Sequence, residues 1–246
     1  MSVWAIIPAA GRGSRLGGPS PKQFLPLGGQ PILARTLAVF DAVPAVDHVV
    51  VVVPPGAEAR CRATVVEPYG FTKVQAIVPG GGLRQESVAR GLDAIGDDAS
   101  IVVVHDAARP LVTYDLVRRV VEAAGSSGAA VAALPVVDTL KRLAGRDGLV
   151  TTVDREGLWT AQTPQAFRAA AFRDAVARAV ADGFVGTDDA SLVERLGLPV
   201  TLVEGEPFNF KITRAEDVSL AEELLATVRA PAKHEPSVSP MPSGLA

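Results

Sequence analysis

Val3-Trp4-Ala5-Ile6-Ile7 runs without a turn into Pro8-Ala9-Ala10-Gly11-Arg12-Gly13-Ser14-Arg15-Leu16-Gly17-Gly18-Pro19-Ser20-Pro21-Lys22. Five apolar residues with no polar alternation read as a strand buried on both faces, and such strands belong to parallel sheets covered by helices. The loop that follows then lies at the carboxyl edge of the sheet, where open α/β folds bind ligands. Its glycines permit close backbone approach to a phosphate. Within it stand two cations, Arg15 and Lys22. At a triphosphate, fixed cations favour a transition state that gathers charge on the oxygens of the attacked phosphorus and on the leaving pyrophosphate. A glycine-rich surface turn with solvated basic residues is the other reading these residues leave open. Two nucleotide-loop patterns are not matched. The dinucleotide fingerprint needs glycine where Leu16 stands and an acid closing the next strand, which ends in Val53-Pro54-Pro55, and no G-x-x-x-x-G-K-[ST] run is present.

Outward from that loop, strand-like runs recur at His48 to Val53, Val74 to Val78, Ile101 to His105, Ala129 to Leu134 and Pro199 to Val203. All but the last have the pattern of strands buried on both faces. Helical stretches fall between and after them, at Pro31 to Ala42, Ala57 to Tyr69, Arg84 to Ile95, Tyr114 to Ala124, Ala169 to Ala181, Asp188 to Leu196 and Arg214 to about Val228. This alternation predicts an α/β fold with a mostly parallel sheet. Pro31 in a first turn and Thr113 ahead of a helix are start signals. Val136 to Trp159 breaks the rhythm: Thr, Val and Leu flank Gly145-Arg146-Asp147-Gly148, the pattern of two extended limbs joined by a turn. This β-arm, about 136–159, either folds onto its own domain as an edge hairpin or packs against a second subunit. Residues 1–230 read as one domain. Residues 231–246, rich in Pro, Ser and Ala, read as a disordered tail.

Composition narrows the function. The 246 residues carry 24 Lys and Arg against 27 Asp and Glu, a formal charge of −3, which excludes a predominantly electrostatic nucleic-acid binder. The lone Cys61 forms no internal disulfide, and three histidines scattered along the chain make no zinc site. The longest apolar run, Ala129 to Leu134, is far short of the roughly 20 residues that cross a bilayer. No signal-peptide pattern opens the chain. A cytoplasmic protein, with no nucleic-acid or membrane partner, is the expectation.

Other residues join the first loop by topology. Asp106 follows a buried strand and so faces the same sheet edge; the alternative is a structural cap paired with Arg109. His105, the last residue of that strand, reads as a core histidine with a backbone partner. Gly80-Gly81-Gly82-Leu83-Arg84 ends one strand and opens a helix, a geometry suited to a base or ribose. No Ser-His-Asp or Cys-His set is present for nucleophilic catalysis.

Pro8-Ala9-Ala10-Gly11-x-Gly13-x-Arg15 with Pro21-Lys22-Gln23-Phe24-Leu25 resembles the opening of the 2-C-methyl-D-erythritol 4-phosphate cytidylyltransferases, enzymes of the non-mevalonate isoprenoid pathway. Five further stretches resemble that family's signatures, in order: Gly80-Gly81-x-x-Arg84-x-x-Ser87-Val88, His105-Asp106-Ala107-Ala108-Arg109-Pro110, Asp154-Arg155-x-Gly157-Leu158-Trp159-x-Ala161-Gln162-Thr163-Pro164-Gln165, Thr187-Asp188-Asp189-Ala190 and Lys211-Ile212-Thr213. Gly82 and Phe208 stand where the family often has an acidic residue.

The resemblance implies a Rossmann-like, mostly parallel sheet with flanking helices, of the nucleotidyltransferase type, with an inserted β-arm. It implies that CTP and 2-C-methyl-D-erythritol 4-phosphate react to give 4-diphosphocytidyl-2-C-methyl-D-erythritol and pyrophosphate. It assigns Arg15, Lys22, Arg155 and Lys211 to catalysis. Ala9, Ala10, Gly11, Gly13, Gly81, Arg84, Ser87 and Asp106 fall to the nucleotide, and Asp106, Arg109, Thr139, Arg155, Thr187 and Lys211 to the sugar-alcohol phosphate. It further implies Mg²⁺ held mainly by the CTP phosphates, with no dedicated protein metal ligands, and a homodimer in which the arm enters the neighbouring site. Transfer to another acceptor, such as ribitol 5-phosphate, and a non-catalytic nucleotide-binding domain are the competing readings.

Overall fold

The computed structural model describes residues 1–11, 21–144 and 148–229. Gly13, Arg15, the arm's turn residues Gly145 to Asp147 and the 231–246 tail lie outside the described residues.

The first strand, β1 (Ser2–Pro8), is central in a seven-stranded sheet. After it come a short 3₁₀ turn (Lys22–Phe24), a small hairpin of β2 (Pro26–Leu27) and β3 (Gln30–Pro31), and α1 (Ile32–Ala42). Pro31 therefore stands just ahead of the helix rather than in its first turn. The chain continues through β4 (His48–Val53), α2 (Glu58–Cys61), β5 (Val74–Pro79), α3 (Arg84–Asp93), β6 (Ala99–Val104), α4 (Tyr114–Ser127) and β7 (Ala129–Pro135). The arm is β8 (Leu140–Ala144) and β9 (Leu149–Val153), followed by β10 (Trp159–Arg168), α5 (Ala169–Ala181), α6 (Ala190–Glu194), β11 (Thr201–Glu204) and α7 (Ala215–Arg229).

Strand order is β5-β4-β1-β6-β10-β7-β11. From β1 the chain moves outward through β4 and β5, then returns to lay β6 on the other side of β1. A crevice opens where the order reverses, between the carboxyl ends of β1 and β6. Alternation along the buried strands feeds two cores. Val3, Ala5 and Ile7 face α1 and α4 together with Val49, Val51 and Val53, while Trp4 and Ile6 face α3, α5 and α6 with Val50 and Val52. Thr113 caps α4 as its sequence position predicts, Oγ1 accepting the Leu116 N–H at 3.1 Å.

Three expectations are corrected. β5 is only partly buried, because it is the sheet's edge and has a neighbour on one side alone. The helix expected over 57–69 is four α-helical residues that widen into a π-helical stretch, Arg62–Val66. There Thr64 Oγ1 donates back to the Arg60 carbonyl, a bond that competes with regular helix. The end of the expected arm and the nine residues after it, left without a strand assignment, form β10, which runs antiparallel to both β6 and β7. Pro164 hides it, since proline in a strand interior argues against a central position; the β7 register shifts between Ala161 and Gln165.

The arm is a separate two-stranded sheet, Leu140 opposite Val153 through Ala144 opposite Leu149. Among the described residues it shares no strand pairing with the main sheet, and Leu143 and Leu149 are 66 and 69% exposed.

Candidate active site

A cavity of about 850 Å³ occupies the crevice. Ala9, Ala10 and Gly11 line it from the loop after β1, and Lys22 from the 3₁₀ turn. Gly81, Arg84 and Ser87 enter from the start of α3, Asp106 from the loop after β6, and Lys211 from the segment before α7. The walls are stitched by backbone bonds between neighbouring strand ends: Ala9 N–H to the Val52 carbonyl at 2.6 Å and Gly80 N–H to that of Val53 at 2.7 Å.

Asp106 is the charge centre. Its Oδ1 accepts from Arg84 Nε at 2.8 Å, and its Oδ2 pairs with Lys211 Nζ at 2.8 Å and lies 3.9 Å from Arg109 Nε. Burial works to raise this carboxyl, but the Arg84 guanidinium and the Lys211 ammonium outweigh it and hold it well below the usual carboxylate range. Arg84 reaches past Asp106 to a second buried carboxylate, Nη2 to Asp189 Oδ2 at 2.7 Å. Lys22 Nζ donates to the Ile212 carbonyl at 3.3 Å, so the lysine of the first loop touches the residue beside Lys211 across 190 positions of sequence.

Arg109 stands behind Asp106, its Nη1 on the Asn209 carbonyl at 2.7 Å. Thr139 and Arg155 are exposed at the arm, Arg155 donating to the Val137 carbonyl, and Thr187 is exposed before α6. These three do not line the cavity of their own chain. His105 is the core histidine its position suggests: fully buried, with Nε2 3.2 Å from the Arg109 carbonyl and the ring tilted against Phe40. Burial pushes it down to about 3, so it is neutral at physiological pH. Burial likewise pushes the Cys61 thiol up to about 12, away from nucleophilic use.

Several contributors escape sequence reasoning. Arg90 lines the cavity and donates to the Gly80 carbonyl at 2.6 Å. The spacing Arg84, Ser87, Arg90 puts all three on one helix face, a signal available in the sequence. Glu86 accepts the Gly82 N–H at 2.7 Å and the Leu83 N–H at 3.3 Å, consuming donors of the glycine loop. Asp189 stands in the Thr187-Asp188-Asp189-Ala190 stretch without a role, and its part in the site emerges only through its pairing with Arg84.

A cavity at the switch point of a mostly parallel sheet, walled by glycine loops and furnished with cations rather than a nucleophile, defines a nucleotidyltransferase. Phosphoryl-group chemistry asks for positioning and charge, which this arrangement supplies. Residues 3–227 match the family model for 2-C-methyl-D-erythritol 4-phosphate cytidylyltransferase. The enzyme of that name from Syntrophotalea carbinolica is 48% identical over 92% of this chain and 97% of its own. That from Pelotomaculum thermopropionicum is 50% identical over 91% and 94%. A crystal structure of the Thermus thermophilus enzyme superposes with a TM-score of 0.76 at 44% identity, covering 92% of this chain and 100% of the other. The chain belongs to the 2-C-methyl-D-erythritol 4-phosphate cytidylyltransferase family.

Proposed function

We propose that this chain, as a single domain over residues 1–230, transfers the cytidylyl group of CTP to 2-C-methyl-D-erythritol 4-phosphate. An oxygen of the acceptor phosphate forms a bond to the α-phosphorus, the bond from that phosphorus to the β-phosphate bridging oxygen breaks, and pyrophosphate leaves. The attacking oxygen already carries negative charge at neutral pH, so no general base is needed. The work is to hold two anions together in line and to stabilise the charge that moves onto pyrophosphate.

The observation that carries this reading is the meeting of Lys22 and Lys211 in one cavity, Lys211 on Asp106 and Lys22 on the neighbouring Ile212 carbonyl. In it, Arg15 and Lys22 serve the triphosphate. Ala9, Ala10, Gly11, Gly13, Gly81, Arg84 and Ser87 hold the nucleoside end, and Lys211 the acceptor phosphate. Asp106 keeps Lys211 and Arg84 extended into the cavity until the substrates' anions compete for them, with Arg109 fixing its far side. Arg155 and Thr139 complete an acceptor site when the arm of a second copy is laid over it, making the active form a homodimer, and Thr187 contacts the sugar alcohol. The exposed apolar residues of the arm support that pairing.

A magnesium ion would be held mainly by the CTP phosphates rather than by this chain, and would supply charge neutralisation there. Among the described residues no three carboxylate, imidazole or thiol groups gather as a cation cage, and both Asp106 oxygens face cations. These residues do not fit a protein-held ion, and no step here runs through one. A cytoplasmic location belongs to the same proposal; no helix among the described residues is long and apolar enough to cross a membrane.

Pyrophosphate release with CTP and a panel of sugar-alcohol phosphates tests the assignment. Release is expected with methylerythritol phosphate above all others. Preference for ribitol 5-phosphate would reassign the acceptor, and absence of release with every acceptor would make the chain a nucleotide binder.

A further inference from the structure

Ala161-Gln162-Thr163-Pro164-Gln165 is a motif to which the reaction gives no task. It lies in β10, and three of its side chains are polar yet buried: Gln162 is 6%, Thr163 4% and Gln165 1% exposed. Polar side chains are kept in such places by their partners, and here the partners lie on loops that carry the cavity's charges. Thr163 Oγ1 accepts the Asp106 N–H at 3.0 Å. Gln165 Nε2 donates to Asp188 Oδ2 at 2.8 Å while its Oε1 accepts the Ala190 N–H at 2.9 Å, on either side of Asp189.

Gln162 addresses the segment that carries Lys211. Its Nε2 donates to the Glu206 carbonyl at 2.9 Å, and its Oε1 accepts the Glu206 N–H at 3.2 Å and Asn209 Nδ2 at 3.1 Å. Asn209, fully buried, also donates to the Thr163 carbonyl at 2.7 Å. The next anchor is the Ile212 N–H on the Ala108 carbonyl at 2.8 Å. Lys211 is thus slung between two fixed points, one of which Gln162 sets.

We propose that Gln162 is a positioning residue for Lys211: through Asn209 it holds the 205–212 segment at the level where the ammonium group meets the acceptor phosphate. The proposal rests on the reading of Lys211 given above. A purely structural strand residue would, when lost, weaken every ligand alike; a positioning residue weakens the one its lysine serves.

Gln162→Met keeps the length of the side chain and removes its donor and acceptor. Pyrophosphate release with methylerythritol phosphate varied gives the acceptor KM, and calorimetry with CTP alone gives the nucleotide Kd. The acceptor KM is expected to rise roughly tenfold, as a displaced contact group implies, with the CTP Kd within about twofold of wild type. In a Lys211→Ala background the same change should have little further effect, because the two residues act as one unit. Equal loss of CTP binding, or an undiminished effect in that background, would overturn the proposal. Asn209→Ser, which removes the contact from the other side, is measured in parallel; if neither variant is recovered folded, the pair belongs to the fold alone and the proposal falls. An unchanged acceptor KM in Lys211→Ala itself would refute the reading of Lys211, and the proposal with it, and the single variant tells that failure apart from the others.

Discussion

At the scale of the residue, Asp106 decides the electrostatics of the cavity. Its pKa is lower in the folded chain than in the unfolded one, so the stability it contributes is complete above the ordinary carboxylate value near 3.9 and is lost as pH falls below it. Asp106→Asn leaves Arg84 and Lys211 without their shared anion. The expected cost is about 2 kcal/mol at neutral pH, on the low side for a broken buried pair because both cations keep part of their surface in water. Urea unfolding between pH 7 and pH 3 should show this deficit narrowing as acid protonates Asp106 in the unfolded wild-type chain while the folded carboxylate stays ionised, and a deficit constant with pH would contradict the account. Lys22 gives a kinetic counterpart: Lys22→Ala should lower turnover far more than it weakens CTP binding, and equal loss in both would remove its transition-state role. The loops after buried strands place Lys22 and Asp106 at the ligand edge in the sequence, while a solvated turn and a structural cap stay open there; the resemblance decides between these readings and alone points to Lys211. Gln162 and Asp189 stand in stretches that carry the resemblance, yet their roles are not legible, because nothing local separates a buried amide that positions a loop from one that solvates its own strand.

At the scale of the element, the glycine loop after β5 is fixed by close approach. A Cβ on Gly80 would sit 2.3 Å from Ala10 Cβ and 2.8 Å from Ser87 Oγ, and Ala10 is backbone-anchored wall rather than a flexible tip. Gly80→Ala should therefore cost about 2 kcal/mol of overpacking and weaken CTP binding as well, measured by thermal unfolding and calorimetry; an unaltered CTP affinity would show that the two loops do not share the nucleotide. Thr113→Ala should cost about 1 kcal/mol in thermal unfolding through the lost cap of α4, and it also removes the bond from Thr113 Oγ1 to Glu206 Oε1 at 2.6 Å. The parallel strands and most helices are legible because burial on both faces and helical period leave marks along a single stretch of chain. β10 is not, since its pairing partners lie far off in sequence and its central proline argues locally against the strand it forms. The exposure of β5 has the same origin: edge position belongs to the order of strands, which no one strand encodes.

At the scale of the whole molecule, one chain brings together Lys22, Arg84, Asp106 and Lys211 but leaves Arg155 on an arm that projects from the sheet. The hairpin itself was legible in the residues flanking its turn; what it packs against is a property of an assembly, outside the reach of a single strand pattern. If the arm completes a neighbour's site, light scattering at micromolar concentration should give twice the chain mass, and a monomer would remove the shared site. Mixing two impaired variants puts the central claim to its most direct test. Lys211→Ala and Arg155→Ala, each slow in pyrophosphate release with CTP and methylerythritol phosphate at an acceptor concentration near the wild-type KM, should together recover about a quarter of wild-type activity after subunit exchange, since one site of each mixed dimer is intact. Activity no greater than the sum of the separate variants, with mixed dimers demonstrably formed, would contradict it.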